Sequence, residues 1–326
     1  MATMMIDEVI SQKDAEPLIS RVNPASAPLQ FSVNCSLSVG CCPVHGIRLD
    51  FSQTTRDTGD RSSRRKISVR SQHQEINDWF VTKFDPTMSD GDLLEAYHRQ
   101  HPGKIFLRTL PLHSRVLDVG AGDGALANVK KWPSPPRGDL RLFAYSLTRG
   151  EHFDNFEACE LSDWNIAKPH FGGHTFDAIY SAHFIEHIDD PSSLIQWGSE
   201  RLVNHGRIYI EWPSDRSKEC LTMNELRDLG FPSIVGNYFD DSSHAKDLPR
   251  VESLLSSLSH HGFEVQMLGT IHMPVVADGL LGYHQRTGDR TSLQLAYWLK
   301  TGWCQFVVAE KRRFLSQPPR GGQTTE

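Results

Sequence analysis

The sequence predicts an open α/β fold whose central sheet is doubly wound and mostly parallel. Two observations predict this class. Short apolar runs recur along the chain without the strict apolar–polar alternation of half-exposed strands, which is typical of a sheet covered on both faces. Helix-length spacers separate the first four runs, as right-handed crossovers between parallel strands require. The runs are Arg115–Val119, Leu140–Tyr145, Phe176–Tyr180, Arg207–Glu211, Phe263–Leu268 and Cys304–Ala309.

The composition narrows the classes of function. The 326 residues give room for one large domain with appendages. The formal net charge of -6 argues against a general nucleic-acid-binding protein, because such proteins usually present a basic face. The one basic stretch, Arg61–Arg70, is interpreted as a solvated linker. We therefore expect a small-molecule or glycan substrate and no nucleic-acid partner, and the oligomeric state is left open.

Three features bear on the cellular compartment. No apolar run approaches the roughly 20 residues that a membrane span needs. The first segment, Met1–Ser20, carries acidic side chains and no basic start before an apolar core, so it does not resemble a signal peptide. Six cysteines, three of them scattered singly, fit a reducing compartment. The sequence thus predicts a cytoplasmic protein without a membrane span.

The chain is predicted to have three parts. Residues 1–85 form an N-terminal extension in which apolar residues alternate with polar ones, at Leu29–Val39 and Ile47–Phe51, so the extension is interpreted as β-rich. Residues 86–312 form the main domain. Residues 313–326 form a flexible C-terminal tail.

The main domain is predicted to begin with a helix, because Ser89 followed by Asp92 resembles a capping box. The strand Arg115–Val119 follows, then the turn GAGDG at Gly120–Gly124, then a second helix that starts near Ala125. Ligands of such sheets bind beyond the carboxyl ends of the strands, where the winding reverses. The glycine-rich turn is therefore the first candidate site.

The residue types of this turn favour one class of ligand. Gly120 and Gly122 let the backbone bend sharply and let a ligand approach closely. The turn lacks the Lys-Ser/Thr pair of a phosphate-binding loop, and its G-x-G-x-G spacing differs from the dinucleotide-binding pattern, which disfavours an NAD-dependent dehydrogenase. A carboxylate at Asp118 would repel a pyrophosphate and attract an ammonium group. The pattern favours a cationic adenosine ligand without phosphates.

Two longer stretches carry a resemblance to a known family. LDVGAGDG, at Leu117–Gly124, resembles the first motif of the class I S-adenosylmethionine-dependent methyltransferases. FDAIYSAHFIEHIDDPSSLIQWGSERLVNHGRIYIEWPS, at Phe176–Ser214, resembles the fourth and fifth strands of that family with the helix between them. The resemblance covers Leu93–Lys311. It implies a Rossmann-like, seven-stranded sheet whose last strand is antiparallel, with S-adenosyl-L-methionine lying across the tips of the first strands.

The resemblance also implies roles for individual residues. The backbone of the glycine turn would approach the methionine part of the cofactor, and Asp118 would hold its ammonium group. Glu160 and Leu161 match the acid-plus-apolar pair that meets the adenine. The implied cofactor-binding residues are Asp118, Gly120, Ala121, Gly122, Gly124, Ser146, Glu160, Leu161 and Ser181.

One position departs from the family pattern. At the end of the second strand the family usually has an acid that binds the ribose hydroxyls, and this sequence has Ser146. A serine loses the bidentate carboxylate contact, which is worth about 1–3 kcal/mol. Glu151 is a candidate substitute. The departure keeps open the alternative of a catalytically inactive binding protein with this fold.

The candidate catalytic residues are histidines. In the family, the residues after the fourth strand face the methyl group, and His183 is the first side chain there that titrates near neutral pH, so it is the leading general-base candidate. His187 is a second candidate, and His244, in the segment Gly236–Pro249, is a third. Histidines suit a neutral hydroxyl that must lose its proton. We therefore expect O-methylation of a small polar metabolite or saccharide, with N-methylation of a small molecule as the alternative.

Two metal sites are considered as alternatives. His183 and His187 together with Asp189 and Asp190 resemble a metal-binding group, since histidines four residues apart lie on one helical face. Cys35–His45 (CSLSVGCCPVH) holds three thiols and an imidazole, but without the usual C-x₂-C spacing. The EHIDDP ending is widespread in metal-free members of the resembled family. The expectation is a site without a metal.

Three aromatic residues lie in an amphipathic stretch between the last two predicted strands. Tyr297, Trp298 and Trp303 are interpreted as core residues, and a wall for a sugar ring is the alternative.

Overall fold

The computed structural model describes residues 72–84, 88–132 and 135–312. Several predictions fall on other residues: the alternating N-terminal strands, the Cys35–His45 segment, the basic stretch Arg61–Arg70 and the tail 313–326 all lie outside the described parts of the chain.

A seven-stranded sheet forms the centre of the fold. Its strands are β1 (Arg115–Val119), β2 (Arg141–Ser146), β3 (Ala158–Leu161), β4 (Phe176–Ala182), β5 (Leu202–Pro213), β6 (Phe263–Ile271) and β7 (Cys304–Lys311). They lie in the order β3-β2-β1-β4-β5-β7-β6. Strands β1 to β5 pair in parallel, and β7 is antiparallel to both β5 and β6. This confirms the Rossmann-like sheet with an antiparallel last strand, and the winding reverses between β1 and β4.

Helices cover both faces of the sheet. They are α1 (residues 72–81), α2 (Asp90–Gln100), α3 (Pro102–Arg108), α4 (Ser192–Arg201), α5 (Met223–Asp228), α6 (Val251–His260), α7 (Pro274–Thr287) and α8 (Arg290–Thr301). Helices α1, α2, α3, α5, α7 and α8 pack over one face, and α4 and α6 over the other. Because both faces are covered, consecutive strand residues such as Val116 and Leu117 are both buried, which explains the apolar runs. None of the helices in the described part of the chain has the length and apolar character to span a bilayer.

The predicted elements of the main domain are present, with two differences. The Ser89 hydroxyl accepts a hydrogen bond from the backbone N–H of Asp92 at the start of α2, as the capping pattern predicted. The segment after the glycine turn is a 3-10 helix, Ala125–Lys131, rather than an α-helix. The count of apolar runs did not include β3, a four-residue edge strand whose residues are partly exposed.

Helix α1 belongs to the packed structure. The indole N–H of Trp79 donates to Asp278 in α7 at 2.9 Å, and the ring of Phe80 stacks on Phe231 with centroids 3.7 Å apart. Trp79 is buried in the core on that face of the sheet. This packing extends the folded domain to residue 72, ahead of the predicted boundary at residue 86, and this part of the predicted β-rich extension is helical.

Candidate active site

A cavity of about 560 Å³ opens at the carboxyl ends of β1 and β4. This is the point where the winding of the sheet reverses, and where ligands of such folds bind. Its walls come from the glycine turn, the segment after β4, the segments around residues 234 and 243, and helix α8. The lining residues include Gly120, Gly122, Glu186, His187, His244 and Trp298.

The glycine turn has the left-handed backbone that its sequence suggested. Gly120 has φ +82° and Gly122 has φ +58°. The N–H groups of Gly120 and Ala121 donate to the carbonyl of Tyr145 at 2.9 and 3.0 Å, which fixes the turn on β2. A Cβ at Gly120 would lie 2.7 Å from the ring of Phe184, whereas a Cβ at Gly122 would enter open space. Only at Gly122 does the bare backbone leave room for a ligand.

The other members of the implied cofactor set lie around this turn. Gly124 (φ +86°) packs against the ring of Phe153 and does not line the cavity. Ser146 is buried at the end of β2, and the Ser181 hydroxyl is buried in β4 with no hydrogen-bond partner in the described structure. Leu161 is 48% exposed at the end of β3.

The carboxylate of Glu160 already has hydrogen-bond partners within the protein. Its carboxylate oxygens accept the backbone N–H groups of His170 and Phe171. The acid predicted to meet the adenine therefore holds the loop that precedes β4. If Glu160 also contacts the adenine, the same two carboxylate oxygens would have to accept hydrogen bonds from both the backbone and the adenine.

Asp118 is a buried acid at the end of β1. It is 1% exposed, and its Oδ2 atom has no hydrogen-bond partner among the described residues. Burial raises the pKa of Asp118 to about 8, and Asp123 adds to the increase. The carboxyl group is therefore mostly protonated at pH 7, and a cation beside it would favour the ionised form.

His183 lies between two buried carboxylates. Its Nδ1 is 3.2 Å from Glu186 Oε1, and its Nε2 is 3.3 Å from Glu211 Oε1. The His183 side chain is 8% exposed and both glutamates are fully buried. Its backbone has φ +53°, held by a 2.9 Å hydrogen bond from its N–H to the carbonyl of Glu211.

This arrangement favours an imidazolium at His183. Burial acts to lower its pKa, but Cys304 and the two glutamates raise it well above its usual value. Burial raises the pKa of the Cys304 thiol to about 11, so at pH 7 the opposing charges are those of the carboxylates. Burial lowers the pKa of His101 to about 4, so that neighbour of Glu211 is neutral. With both ring nitrogens facing carboxylates, His183 is poorly placed to accept a substrate proton.

His187 and His244 lie on the cavity wall beside Glu186. Their rings are 4.9 Å apart. His244 Nδ1 is 2.7 Å from the carbonyl oxygen of Tyr238, and His187 Nδ1 is 3.3 Å from that of Ser243. The Tyr238 carbonyl oxygen can only accept, so Nδ1 of His244 carries a proton. His187 Nδ1 also lies 3.1 Å from the Ser243 hydroxyl, which can donate or accept.

The structure does not bring together the four residues, His183, His187, Asp189 and Asp190, that were considered as an alternative metal site. Asp190 Oδ1 accepts from the backbone N–H and hydroxyl of Ser192, and so caps α4. Asp189 is exposed and does not line the cavity. The groups that do lie together are Glu186, His187 and His244, within 4.8 Å of one another.

The aromatic residues divide between the two predicted uses. Tyr297 is fully buried in the core. Trp298 and Trp303 stack with centroids 4.3 Å apart and planes at 7°, and both line the cavity. The pair thus fills the core and also presents a flat apolar wall.

A family model for a methyltransferase domain matches residues 94–268, which is more than half of the chain. The chain belongs to the class I S-adenosylmethionine-dependent methyltransferases. It is an enzyme that methylates a substrate, with S-adenosylmethionine as the donor of its family.

Several solved structures are similar to this methyltransferase. A candidate sarcosine dimethylglycine methyltransferase from Galdieria sulphuraria is 13% identical, with a TM-score of 0.44 over 74% of this chain and 98% of that one. An S-adenosylmethionine-dependent methyltransferase from Mesorhizobium loti is 15% identical, with a TM-score of 0.42 over 66% and 100%. A SAM-dependent methyltransferase from Archaeoglobus fulgidus is 19% identical, with a TM-score of 0.40 over 68% and 94%. No curated protein sequence matches the chain.

The residues around the turn of this methyltransferase fit the donor at one end. The unpartnered Oδ2 of Asp118 suits an ammonium group, and the open space beside Gly122 suits a close approach. The fit is weaker at the nucleoside end, where Ser146 stands in place of an acid and Glu160 is already bound to backbone N–H groups.

Two functional groups of the methyltransferase escaped the sequence analysis. Glu211 was interpreted only as the end of a strand, and Glu186 only as part of the EHIDDP ending. The signal for Glu211 was available, since a carboxylate inside the apolar run IYIEW has to find a buried partner. Nothing in the sequence names His183 as that partner, 28 residues earlier in the chain.

Proposed function

We propose that this methyltransferase transfers a methyl group to a hydroxyl group of a small polar molecule or saccharide. One observation carries the proposal. Glu186, His187 and His244 share one cavity wall, and the cavity also includes Gly120 and Gly122 of the cofactor turn. Groups that can draw a proton from an acceptor therefore stand beside the place where the methyl donor is expected.

The chemistry of the acceptor decides between oxygen and nitrogen. S-adenosylmethionine supplies an electrophilic methyl group on a sulfonium sulfur. An alcohol must lose its proton as it attacks, whereas a neutral amine attacks through its free electron pair. His187 and His244 line the cavity, and an imidazole can take the proton of a hydroxyl group, which supports an alcohol as the acceptor. We therefore place the proton-accepting role at His244 and His187 rather than at His183.

The cofactor roles are part of the proposal. The Asp118 carboxyl group would bind the ammonium group of the donor, and the backbone at Gly122 would lie against its methionine part. Ser146 and Leu161 would contact the nucleoside part with fewer charged contacts than the family pattern has. The burial of Asp118 and its unpartnered oxygen support the first of these roles.

The cavity suggests the shape of the acceptor. Its volume of about 560 Å³ lies in the range of small-molecule sites. The stacked Trp298 and Trp303 give one flat apolar wall, and the histidine side gives a polar one. A ring that carries hydroxyl groups, such as a sugar, matches both walls.

Methyl transfer from isotope-labelled S-adenosylmethionine tests the proposal. The full-length protein is offered matched acceptor pairs, each an alcohol and the amine of the same skeleton, and products are identified by mass. We expect label in the alcohols, with kcat reduced at least about 100-fold in His244→Ala and less in His183→Gln. Transfer to amines alone would contradict the O-methylation proposal. Binding of S-adenosylhomocysteine without transfer to either series would favour the inactive binding protein.

A further inference from the structure

The wall of the cavity that carries Glu186, His187 and His244 has the composition of a metal site. Each residue offers one ligand atom, and the three atoms lie within 4.8 Å of one another. Asp241 adds a second carboxylate, with its Oδ2 3.8 Å from His244 Nε2. Two imidazoles and one or two carboxylates form a ligand set that first-row divalent metals accept.

The histidines are oriented as metal ligands usually are. His244 Nδ1 donates to the carbonyl oxygen of Tyr238, which leaves its Nε2 as the ligand atom, and His187 Nδ1 lies 3.1 Å from the hydroxyl and 3.3 Å from the carbonyl oxygen of Ser243. Hydrogen bonding of the second ring nitrogen to a carbonyl or carboxylate is the rule at metal sites, because it sets the ring orientation. The His244 side chain is only 6% exposed, so its ring is held in place by its surroundings.

Glu186 gives an independent sign of a missing ligand. Its side chain is fully buried, and its Oε2 has no hydrogen-bond partner in the described structure, while Oε1 faces His183. A buried carboxylate oxygen without a donor is costly, and a cation in the cavity would supply the missing contact. His183, whose Nδ1 is 3.2 Å from Glu186 Oε1, would then hold the other oxygen of this metal ligand in position.

A second group of similar spacing does not compete for this role. His183, Glu211 and Cys304 also lie within 4.8 Å of one another. However, His183 already forms ion pairs with both glutamates, and Glu211 also accepts from the Tyr209 hydroxyl. Glu211 Oε1 has no hydrogen-bond partner in the described structure, but unlike Glu186 Oε2 it lies 3.3 Å from His183 Nε2, and Glu211 does not line the cavity.

We propose that Glu186, His187 and His244 bind a divalent first-row metal ion on the cavity wall, with Asp241 as a fourth ligand. This differs from the metal-free site that the sequence led us to expect. The remaining coordination positions face the cavity, where they suit a hydroxyl oxygen of the acceptor. A divalent ion there would polarise that hydroxyl and lower its pKa, so that its proton is lost to water. With the ion bound, His187 and His244 are ligands and no longer act as the proton acceptors. This role of the ion rests on the proposed function, whereas the ion-binding site itself does not.

Titration with Co²⁺ tests the site. Full-length protein is dialysed against EDTA, the chelator is removed, and Co²⁺ binding is followed by calorimetry and by the visible absorption of the ion. Thiolate ligands at Cys35–His45 would give a separate charge-transfer band. We expect a site whose affinity falls 10–100-fold in His187→Ala and in Glu186→Gln, and stays unchanged in the exposed control His174→Ala. His187 is partly exposed, so its variant keeps the test valid should Glu186→Gln fail to fold.

Two results would overturn the site: no saturable Co²⁺ binding, or affinities in both variants within about twofold of the wild type. The role of the ion is tested separately from the proposed function. Unchanged methylation of alcohols by metal-free protein would overturn the role of the ion and leave O-methylation standing. Co²⁺ binding that depends on Glu186 and His187, without methylation of any alcohol, would support the site and contradict the proposed acceptor.

Discussion

Two buried carboxyl groups in this sheet have opposite pKa shifts. Burial raises the pKa of Asp118 to about 8. Burial also acts to raise the pKa of Glu211, but His101 and His183 lower it to about 2. Of these two histidines, only His183 is charged at pH 7, because the pKa of His101 is about 4. Glu211 is therefore ionised, and the buried imidazolium of His183 supplies the opposite charge. Asp118 is mostly neutral and changes its state when a cation arrives.

This gives a prediction for ligand binding at Asp118. The ordinary pKa of an aspartate is 3.8, and the raised value means that the free protein holds a proton at pH 7. An ammonium group bound beside the carboxyl lowers this pKa, so binding at pH 7 releases close to one proton per ligand. The measurement is the calorimetric enthalpy of S-adenosylhomocysteine binding in buffers of different ionisation enthalpy.

The matched control is Asp118→Asn, which keeps the shape and has no proton to lose. It is expected to bind the ligand more weakly and to show an enthalpy independent of the buffer. Release of a proton in the variant, or none in the wild type, would show that Asp118 does not meet the ammonium group.

The two cavity-lining glycines are predicted to respond differently to the same substitution. Gly120→Ala places a Cβ 2.7 Å from the Phe184 ring in a left-handed backbone, so it should cost about 2 kcal/mol or more of unfolding free energy. Gly122→Ala has the backbone strain alone, about 1 kcal/mol. Its methyl group enters the proposed cofactor space, so the affinity for S-adenosylhomocysteine should fall more than the stability. Denaturant unfolding and ligand titration of both variants measure this, and equal losses in both quantities would contradict it.

At the scale of residues, local motifs were predictable and long-range pairs were not. Asp118, Gly120 and Gly122 were identified as site residues from the eight consecutive residues LDVGAGDG. The ion pairs of His183 join residues that meet only because β4 and β5 are neighbours in the sheet. These ion pairs raise the pKa of His183, and for that reason the proposed base is His244. The pairs could be found only in the structure.

Among the secondary-structure elements, α3 and β2 are joined by one buried arginine. Arg137 donates to the carbonyl oxygens of Leu107, Arg108 and Pro111 and forms two 2.8 Å hydrogen bonds with Asp139. Its side chain is 6% exposed. The guanidinium thus caps the C-terminus of α3 and fixes the approach to β2.

Replacement of this arginine is predicted to destabilise the domain strongly. Arg137→Met leaves the Asp139 carboxylate and three carbonyl oxygens without their donor, so it should lower the free energy of unfolding by about 3 kcal/mol. Arg137→Lys keeps the charge but not the fork of donors, and should lose about 2 kcal/mol. Urea unfolding measures both. A loss below about 0.5 kcal/mol in Arg137→Met would mean that solvent replaces these contacts.

Elements with strong apolar patterns were predictable, and weak ones were not. Five of the six apolar runs became strands that are largely buried on both faces, whereas the run at Phe263–Leu268 became the edge strand β6, which is mostly exposed. Strand β3 escaped because an edge strand of four residues needs no apolar run. The 3-10 helix after the glycine turn depends on how Gly124 packs against Phe153, which a helical pattern does not encode.

In the whole molecule, the first described helix packs against the C-terminal half of the chain. Ile76, Trp79 and Phe80 have helical spacing, which was an available signal that residues 72–81 are not part of a β-rich extension. Trp79 meets Asp278, about 200 residues later. Docking of α1 on α7 thus closes the layer of helices on that face.

This docking gives a prediction for global stability. Trp79→Ala removes a buried indole and its hydrogen bond, and should lower the free energy of unfolding by about 3 kcal/mol. Val81→Ala, at a 62% exposed position of the same helix, is the matched control and should change it by less than about 0.5 kcal/mol. Thermal unfolding of both variants checks this, and equal effects would mean that α1 does not dock on α7.

In the whole molecule, the carboxyl ends of β1 and β4 are expected to bind a positively charged, phosphate-free nucleoside. The dissociation constant of S-adenosylhomocysteine for the full-length protein, measured beside that of NADH, tests this most directly. We predict one site with a dissociation constant of about 10 μM or tighter for S-adenosylhomocysteine, weakened in Gly122→Ala, and no measurable affinity for NADH. Saturable binding of NADH with none of S-adenosylhomocysteine would contradict the account.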